Sequence, residues 1–437
     1  MCSSDLASST SAQIDQTVAQ AATTTSVASS SLSSAFGASV TFTVTVSPAA
    51  AGGSATVYDG ANALGTCTLV SGVCSISSAA LTAGSHAIGA RYAGTANYAT
   101  SAAAAIAQTV AQATTTTTLV SSSPSATFGV PVTYTVTVAA ANGTTPTGTA
   151  TLLDGTAGVG TCTLAAGRCD VTTGALISGT HALSARYAGD ANHLGSTSAT
   201  LTQAIVSPTT TVVTSSGAST YGGAVTLTVT VAAADATVPT GTVSLSDGTA
   251  GIGTCTLSGG TCTLTSSALA AGTHAITARF PASARYAASV SGSLSQAVAP
   301  ASTTTTVVSS NAASTYGGSV TFTVTVATAN GTTASGSVSV LDGAASIGTC
   351  TLASGSCSVT TSTLGAGGHP MSARYAGDAN HASSTSAQID QTVAQAATTT
   401  SVASSSLSSA FGDSVTFTVT RSEEHTSELQ SHHDLVC

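Results

Sequence analysis

An internal repeat constrains this chain more than any other feature. The phrase "FGASVTFTVTV" at Phe36–Val46 returns as "FGVPVTYTVTV" at Phe128–Val138, "YGGAVTLTVTV" at Tyr221–Val231 and "YGGSVTFTVTV" at Tyr316–Val326. A fifth copy, "FGDSVTFTVT", runs from Phe411 to Thr420. Downstream of each full copy come an Asp-Gly turn, "GTCTL", a second cysteine, and "ARY" or "ARF". The first cysteines, Cys67, Cys162, Cys255 and Cys350, are spaced by 95, 93 and 95 residues. That period exceeds the 20–50 residues of a solenoid unit and matches a complete small domain.

Within a repeat the pattern has period two. Val40, Phe42, Val44 and Val46 alternate with Thr41, Thr43 and Thr45, giving one apolar and one hydroxylated face. Ile88, Ala90 and Tyr92 share a face, as do Leu183, Ala185 and Tyr187, then Ile276, Ala278 and Phe280, then Met371, Ala373 and Tyr375. Turn signals recur at Asp59-Gly60, Ser71-Gly72, Ala83-Gly84 and Ala93-Gly94. The alanine-rich "SAAAAIAQTV" reads as a last strand, because its counterparts "STSATLTQAIV" and "SGSLSQAVA" do. About seven short strands per repeat predict an all-β chain of tandem antiparallel β-sandwiches.

The ordered motifs "TTTTTLV…FGVPVTYTVTV…GTATLLDG…GTCTL…GTHALSARYAGDANH" resemble the bacterial Ig-like domain repeats found in tandem on secreted and surface proteins. The resemblance implies immunoglobulin-like sandwiches serving as stalk, spacer or adhesive modules, without catalysis of their own. Full repeats are expected over 20–112, 113–206, 207–299 and 300–394, with partial copies over 7–19 and 395–420. Copy three departs: "ARFPASARYAAS" puts Ser283 where Asp190 stands and Arg285 where Asn192 stands.

Eight of the ten cysteines form pairs: Cys67/Cys74, Cys162/Cys169, Cys255/Cys262 and Cys350/Cys357. Each pair brackets a turn such as "LVSG" or "LSGG". Cys67 shares a face with Leu69 and Cys74 with Ile76, so an even-register hairpin sets the two thiols across from each other, within disulfide range. The alternative is reduced core thiols, which pack like small hydrophobes. Zinc fits poorly, since no second Cys/His pair lies beside them. Disulfides would place the protein in an oxidising compartment.

Other groups carry less. His86, His181, His274 and His369 follow Gly-rich turns, and Asp59, Asp154, Asp247 and Asp342 lie nearby. A Ser-His-Asp device can be drawn from them, but a serine-rich chain offers such combinations everywhere, and rim histidines bonding a turn are the simpler reading. "GDANH" at Gly189–His193 and Gly377–His381 reads as an Asx-type loop bracing the last two strands, because calcium demands a denser series of oxygens. For sugar binding, thirteen of sixteen Phe and Tyr residues occupy repeated inward slots; only Tyr58, Tyr98 and Tyr286 fall outside, and tryptophan is absent. No catalytic, cofactor-binding or metal-ligating residues are assigned.

The chain has 437 residues, no lysine, seven arginines and a net charge of −9. Nucleic-acid binding, which needs clustered cations, is excluded, and no apolar run has the length of a membrane span. The only glutamates, Glu423, Glu424 and Glu428, cluster in "RSEEHTSELQS". That stretch resembles the conceptual translation of a sequencing adapter, and "CSSDL" at Cys2–Leu6 resembles its opposite strand. Immediately inside, Ala7–Thr45 and Ala382–Thr420 differ only at Ala38 against Asp413. The expectation is an internal fragment of a longer protein with adapter-like text over 1–6 and 421–437; Cys2, Cys437, His432 and His433 then carry no biology. The strand of the fifth copy is expected to break at Arg421, where the pattern demands valine. The expected protein is an extracellular or cell-surface stalk, an elongated and fairly stiff array whose partners are its own neighbouring repeats. Alternatives are an adhesin for cell-surface or glycan ligands, or spacer modules of a larger secreted enzyme.

Overall fold

The computed structural model describes residues 8–423; Cys2–Leu6, Glu424, Glu428, His432, His433 and Cys437 lie outside the described residues. Among the described residues there is no helix. In the first repeat, strands β1 (Thr24–Ser29), β2 (Ser33–Ala35), β3 (Val40–Ser47), β4 (Ser54–Asp59), β5 (Asn62–Thr68), β6 (Val73–Ser78), β7 (Gly84–Tyr92), β8 (Ser101–Ala102) and β9 (Ile106–Ala111) form two sheets. One has the order β1-β3-β6; the other has the order β2-β9-β7-β4-β5, with β8 on β7. The same two sheets recur in repeats two, three and four. The count exceeds seven because the first strand crosses from one sheet to the other, and β2 pairs parallel with β9, Ser33 opposite Thr109.

The alternation predicted for β3 is realised. Val40, Phe42, Val44 and Val46 are buried against Val57, Ile88, Ala90 and Tyr92 of the facing sheet. Fully burying side chains of this size contributes roughly 1.5–3 kcal/mol each. The threonines between them face outward, so a chain with few charges still has a wettable surface.

Two compact units divide between Ser207 and Pro208, with Ala284–Tyr286 counted in the first. The first unit holds repeats one and two. The second holds repeats three and four and the two strands of the fifth copy, Thr398–Ser404 and Phe417–Glu423. That last strand does not break at Arg421: Arg421 pairs with Thr400 and Glu423 with Thr398. A backbone ladder needs N–H and C=O groups, not a particular side chain, so an arginine in a valine slot continues it. Ile14 and Val18, which match the last strand of a full copy in sequence, are exposed and in no strand here.

Candidate functional site

The cysteines join as Cys67–Cys74, Cys162–Cys169, Cys255–Cys262 and Cys350–Cys357, with Cα–Cα distances of 5.7–5.9 Å. Their setting differs from the expected hairpin. β5 is the edge of one sheet and β6 the edge of the other, so each bond ties the two layers together. Both cysteines do point inward, but inward faces of opposite sheets oppose each other across the core, which the alternation alone cannot distinguish from a hairpin pair. The chain changes sheet through a tight turn in which only Val70 and Val73 pair, with Ser71 and Gly72 both at positive φ (51° and 79°). Both signs match a type I′ turn. A Cβ on Gly72 would lie 2.6 Å from the Val46 carbonyl, so the position excludes any side chain.

The recurrent histidines and aspartates do meet. His86 Nδ1 lies 2.7 Å from Asp59 Oδ2, and the pairs His181–Asp154, His274–Asp247 and His369–Asp342 repeat this at 2.6–2.7 Å. The other nitrogen, Nε2, donates to a backbone carbonyl four residues upstream: Thr82, Ile177, Ala270 or Gly365. No serine hydroxyl takes that place, so the pairs form no nucleophile-activating triad. In His274 and His369 the carbonyl bond first, then the aspartate, raises the imidazole pKa. In His86 burial lowers it, but the Thr82 carbonyl and Asp59 outweigh burial and the net shift is upward. These histidines act as latches between the loop before β7 and the Asp-Gly turn after β4.

The Asp190 loop is saturated by protein donors. Its Oδ1 accepts from the N–H groups of Asn192 and His193 at 2.8 Å, and its Oδ2 accepts from Thr147 N at 2.8 Å and Thr147 Oγ1 at 2.9 Å. Burial alone would raise this carboxyl, but those N–H groups and the His193 ring hold it well below the ordinary carboxylate range; Asp378 behaves alike. Among the described residues no three His, Cys, Asp or Glu side chains gather as a metal site. The loop braces more than the last two strands, because Thr147 belongs to the connection before the strand Thr149–Asp154.

This loop also reaches the preceding repeat. Asn192 Oδ1 accepts from Ala83 N at 2.9 Å, Asn142 Nδ2 donates to the Phe36 carbonyl, and the Phe36 ring meets His193 edge-on at 5.4 Å. In the second unit Asn380, Asn330, Tyr221 and His381 repeat the arrangement, with Ala271 N donating to Asn380 Oδ1. Phe36 and Tyr221 therefore serve a junction between repeats as well as a core, whereas Tyr316 is 43% exposed, as are Phe411 and Phe417 more fully. Tyr316 lies just past the strand Ala313–Thr315, and Phe411 and Phe417 belong to the fifth copy, whose two described strands have no facing sheet to cover them. Of the three aromatics expected outside the core, Tyr286 is buried, Tyr98 half-buried, and Tyr58 lies beside a groove with the Arg91 guanidinium 5.2 Å from its ring centre. In copy three Arg285 Nε donates to Ser178 Oγ at 2.9 Å, both within the first unit.

One recurrent residue escaped the sequence reading. Gln108, Gln203, Gln296 and Gln391 are fully buried on the last strand of each repeat. Ser29, Ser121 and Ser309 hydroxyls bond the amide oxygens of Gln108, Gln203 and Gln391 at 2.6–2.8 Å, where the first strand leaves its sheet. In copy three Gln296 Nε2 donates to the Gly217 carbonyl instead. The signal was present: one polar residue at an inward position, recurring at the repeat spacing.

Comparison with solved structures finds fibronectin(III)-like modules of Clostridium thermocellum CbhA (19% identity, 42% of this chain, 94% of that one, TM-score 0.21). It also finds the ICAM-5 D1–D4 ectodomain fragment (14%, 84% and 99%, TM-score 0.41) and the Escherichia coli adhesin FdeC (16%, 64% and 96%, TM-score 0.25). No curated protein matches the chain. The model of the bacterial Ig-like domain (group 3) matches residues 25–111, 119–206, 211–299 and 306–394. Four matches in register with four two-sheet sandwiches make this chain a member of the bacterial Ig-like domain (group 3) family.

Proposed function

We propose that the chain is a non-catalytic spacer of an extracellular or cell-surface bacterial protein, its repeats holding other parts of that protein away from their base. The observation that carries this reading is where the recurrent ionisable groups are spent. Each His–Asp latch and each Asp190-type loop bonds backbone of the chain itself, so the recurrent histidines and aspartates are spent on structure. The short connection from β9 at Ala111 to the next strand at Thr115, with no Pro or Gly, favours a stiff join between repeats one and two. Bonds between sheets favour an oxidising compartment. The adhesin reading differs in predicting a ligand. Small-angle scattering on the full chain, with a glycan array, tests both: a particle far longer than wide that leaves the array silent is expected. A compact particle sinks the spacer, and a reproducible glycan signal moves the assignment to an adhesin.

A further inference from the structure

We propose that the pole of a repeat carrying Asn-Gly-Thr and Asp-Ala-Asn-His is a recognition surface for an aromatic-glycine turn of the preceding repeat, and that it fuses two repeats into one cooperative pair. This goes beyond the spacer reading and holds for an adhesin equally. The surface is one connected network. Asn142 Oδ1 is held by Thr144 N and Thr144 Oγ1, which aims its Nδ2 at the Phe36 carbonyl. Thr144 Oγ1 also bonds His193 Nε2 at 2.8 Å, His193 Nδ1 bonds Asp190, and Asp190 fixes the turn carrying Asn192. From that turn Asn192 takes the Ala83 N–H.

What is recognised is narrow. Two targets are backbone groups, so the side chain at position 83 is free to vary. The third is an aromatic ring, Phe36 or Tyr221, met edge-on at 5.4 Å by His193 or His381. Glycine must follow the ring: Gly37 and Gly222 have φ of +82° and +78°, and an added Cβ would lie 2.7 and 2.6 Å from the asparagine Nδ2. At Gly317, beside the exposed Tyr316, a Cβ would meet nothing within 4 Å. The same turn is therefore crowded where a matching pole covers it and open where none does. Repeat one lacks the Asn-Gly-Thr insert and carries Thr95 and Tyr98 for the acid and the histidine, while copy three carries Asp235, Ser283 and Tyr286 at the asparagine, acid and histidine positions. Only repeats two and four hold the full set.

Hydrogen exchange on the full chain, read by mass spectrometry, tests this across the repeat boundary. Asn192→Ala should speed exchange in the segment holding Ala83 about tenfold, one hydrogen bond's worth. Protection of Gly179–Tyr187 within repeat two should persist, and Asn192→Asp, which keeps the acceptor, should preserve the Ala83 signal. Coupling between sites is reciprocal. Phe36→Leu in repeat one should therefore loosen the segment around His193, and Asn380→Ala should expose Ala271. If Asn192→Ala also opens Gly179–Tyr187, the Phe36→Leu and Asn380→Ala readings decide. Effects that stop at the altered repeat's own boundary overturn the proposal.

Discussion

Tyr134 shows how finely a single position can be read when the chain supplies its own controls. Its slot holds Phe42 in repeat one and Phe322 in repeat four, all three fully buried. The Tyr134 hydroxyl has no hydrogen-bond partner, and burial, aided by the Asp154 charge, pushes its pKa up to about 12. A buried unsatisfied hydroxyl costs about 1–3 kcal/mol. Tyr134→Phe should therefore stabilise repeat two by about 1 kcal/mol, measured by urea unfolding of the full chain with exchange readout at Gly179–Tyr187. A loss of stability would show that the hydroxyl has a partner. The neighbouring slot makes the opposite point: Tyr92, Tyr187 and Tyr375 hydroxyls donate to carbonyls of Gly52, Thr147 and Ser335 at 2.8 Å, and Phe280 gives up that bond in copy three.

At the scale of elements, each sandwich is closed along both flanks by different means. On one flank the backbone itself crosses between layers from β1 to β2, and the buried glutamine bonds the crossing point. On the other flank β5 and β6 are joined by the disulfide. Without it, two edge strands of separate sheets are held only by side-chain packing. A closed loop with a sequence separation of 7 restricts the unfolded chain, worth about 2.5 kcal/mol in the chain-entropy model. Cys162→Ala with Cys169→Ala should lower the stability of repeat two by about that amount. Exchange should rise first at the edges Ala157–Thr163 and Arg168–Thr173, with Val132–Ala140 following. Uniform loosening of the whole repeat would show that the bond does not act at the flank.

Across the whole molecule the repeats share a fold but not a pH response. Asp190 and Asp378 sit well below the ordinary carboxylate value of 3.8, because burial is outweighed by N–H donors. A lowered folded-state pKa contributes stability that is present above the unfolded value and lost as pH falls through the folded one. Repeats one and three carry Thr95 and Ser283 there and have no such contribution. Asp190→Asn and Asp378→Asn should weaken repeats two and four at about pH 5, the gap closing as pH falls toward about 2. Urea unfolding at several pH values checks this, and a gap independent of pH would refute the electrostatic account.

The amino-acid sequence by itself determined the period, the strand alternation and the identity of the core. Those depend on local spacing: a one-residue slip turns Val44 outward, so the pattern admits one register. It also determined that Asp59-Gly60 and Ser71-Gly72 are turns, since glycine accepts the positive φ that Gly60 and Gly72 adopt. Only the tertiary structure decided which sheet each strand joins. A type I′ turn serves a hairpin and a sheet-to-sheet corner equally, so Cys67 and Cys74 facing inward fit either arrangement until the layers are stacked. The same holds for Phe36, Asn142 and Asn192, whose partners lie about a hundred residues away in sequence (106 for Phe36–Asn142, 109 for Ala83–Asn192). Asn142 and Asn192 do recur two repeats on as Asn330 and Asn380, but as loop residues they carry no alternation that says which other segment they reach.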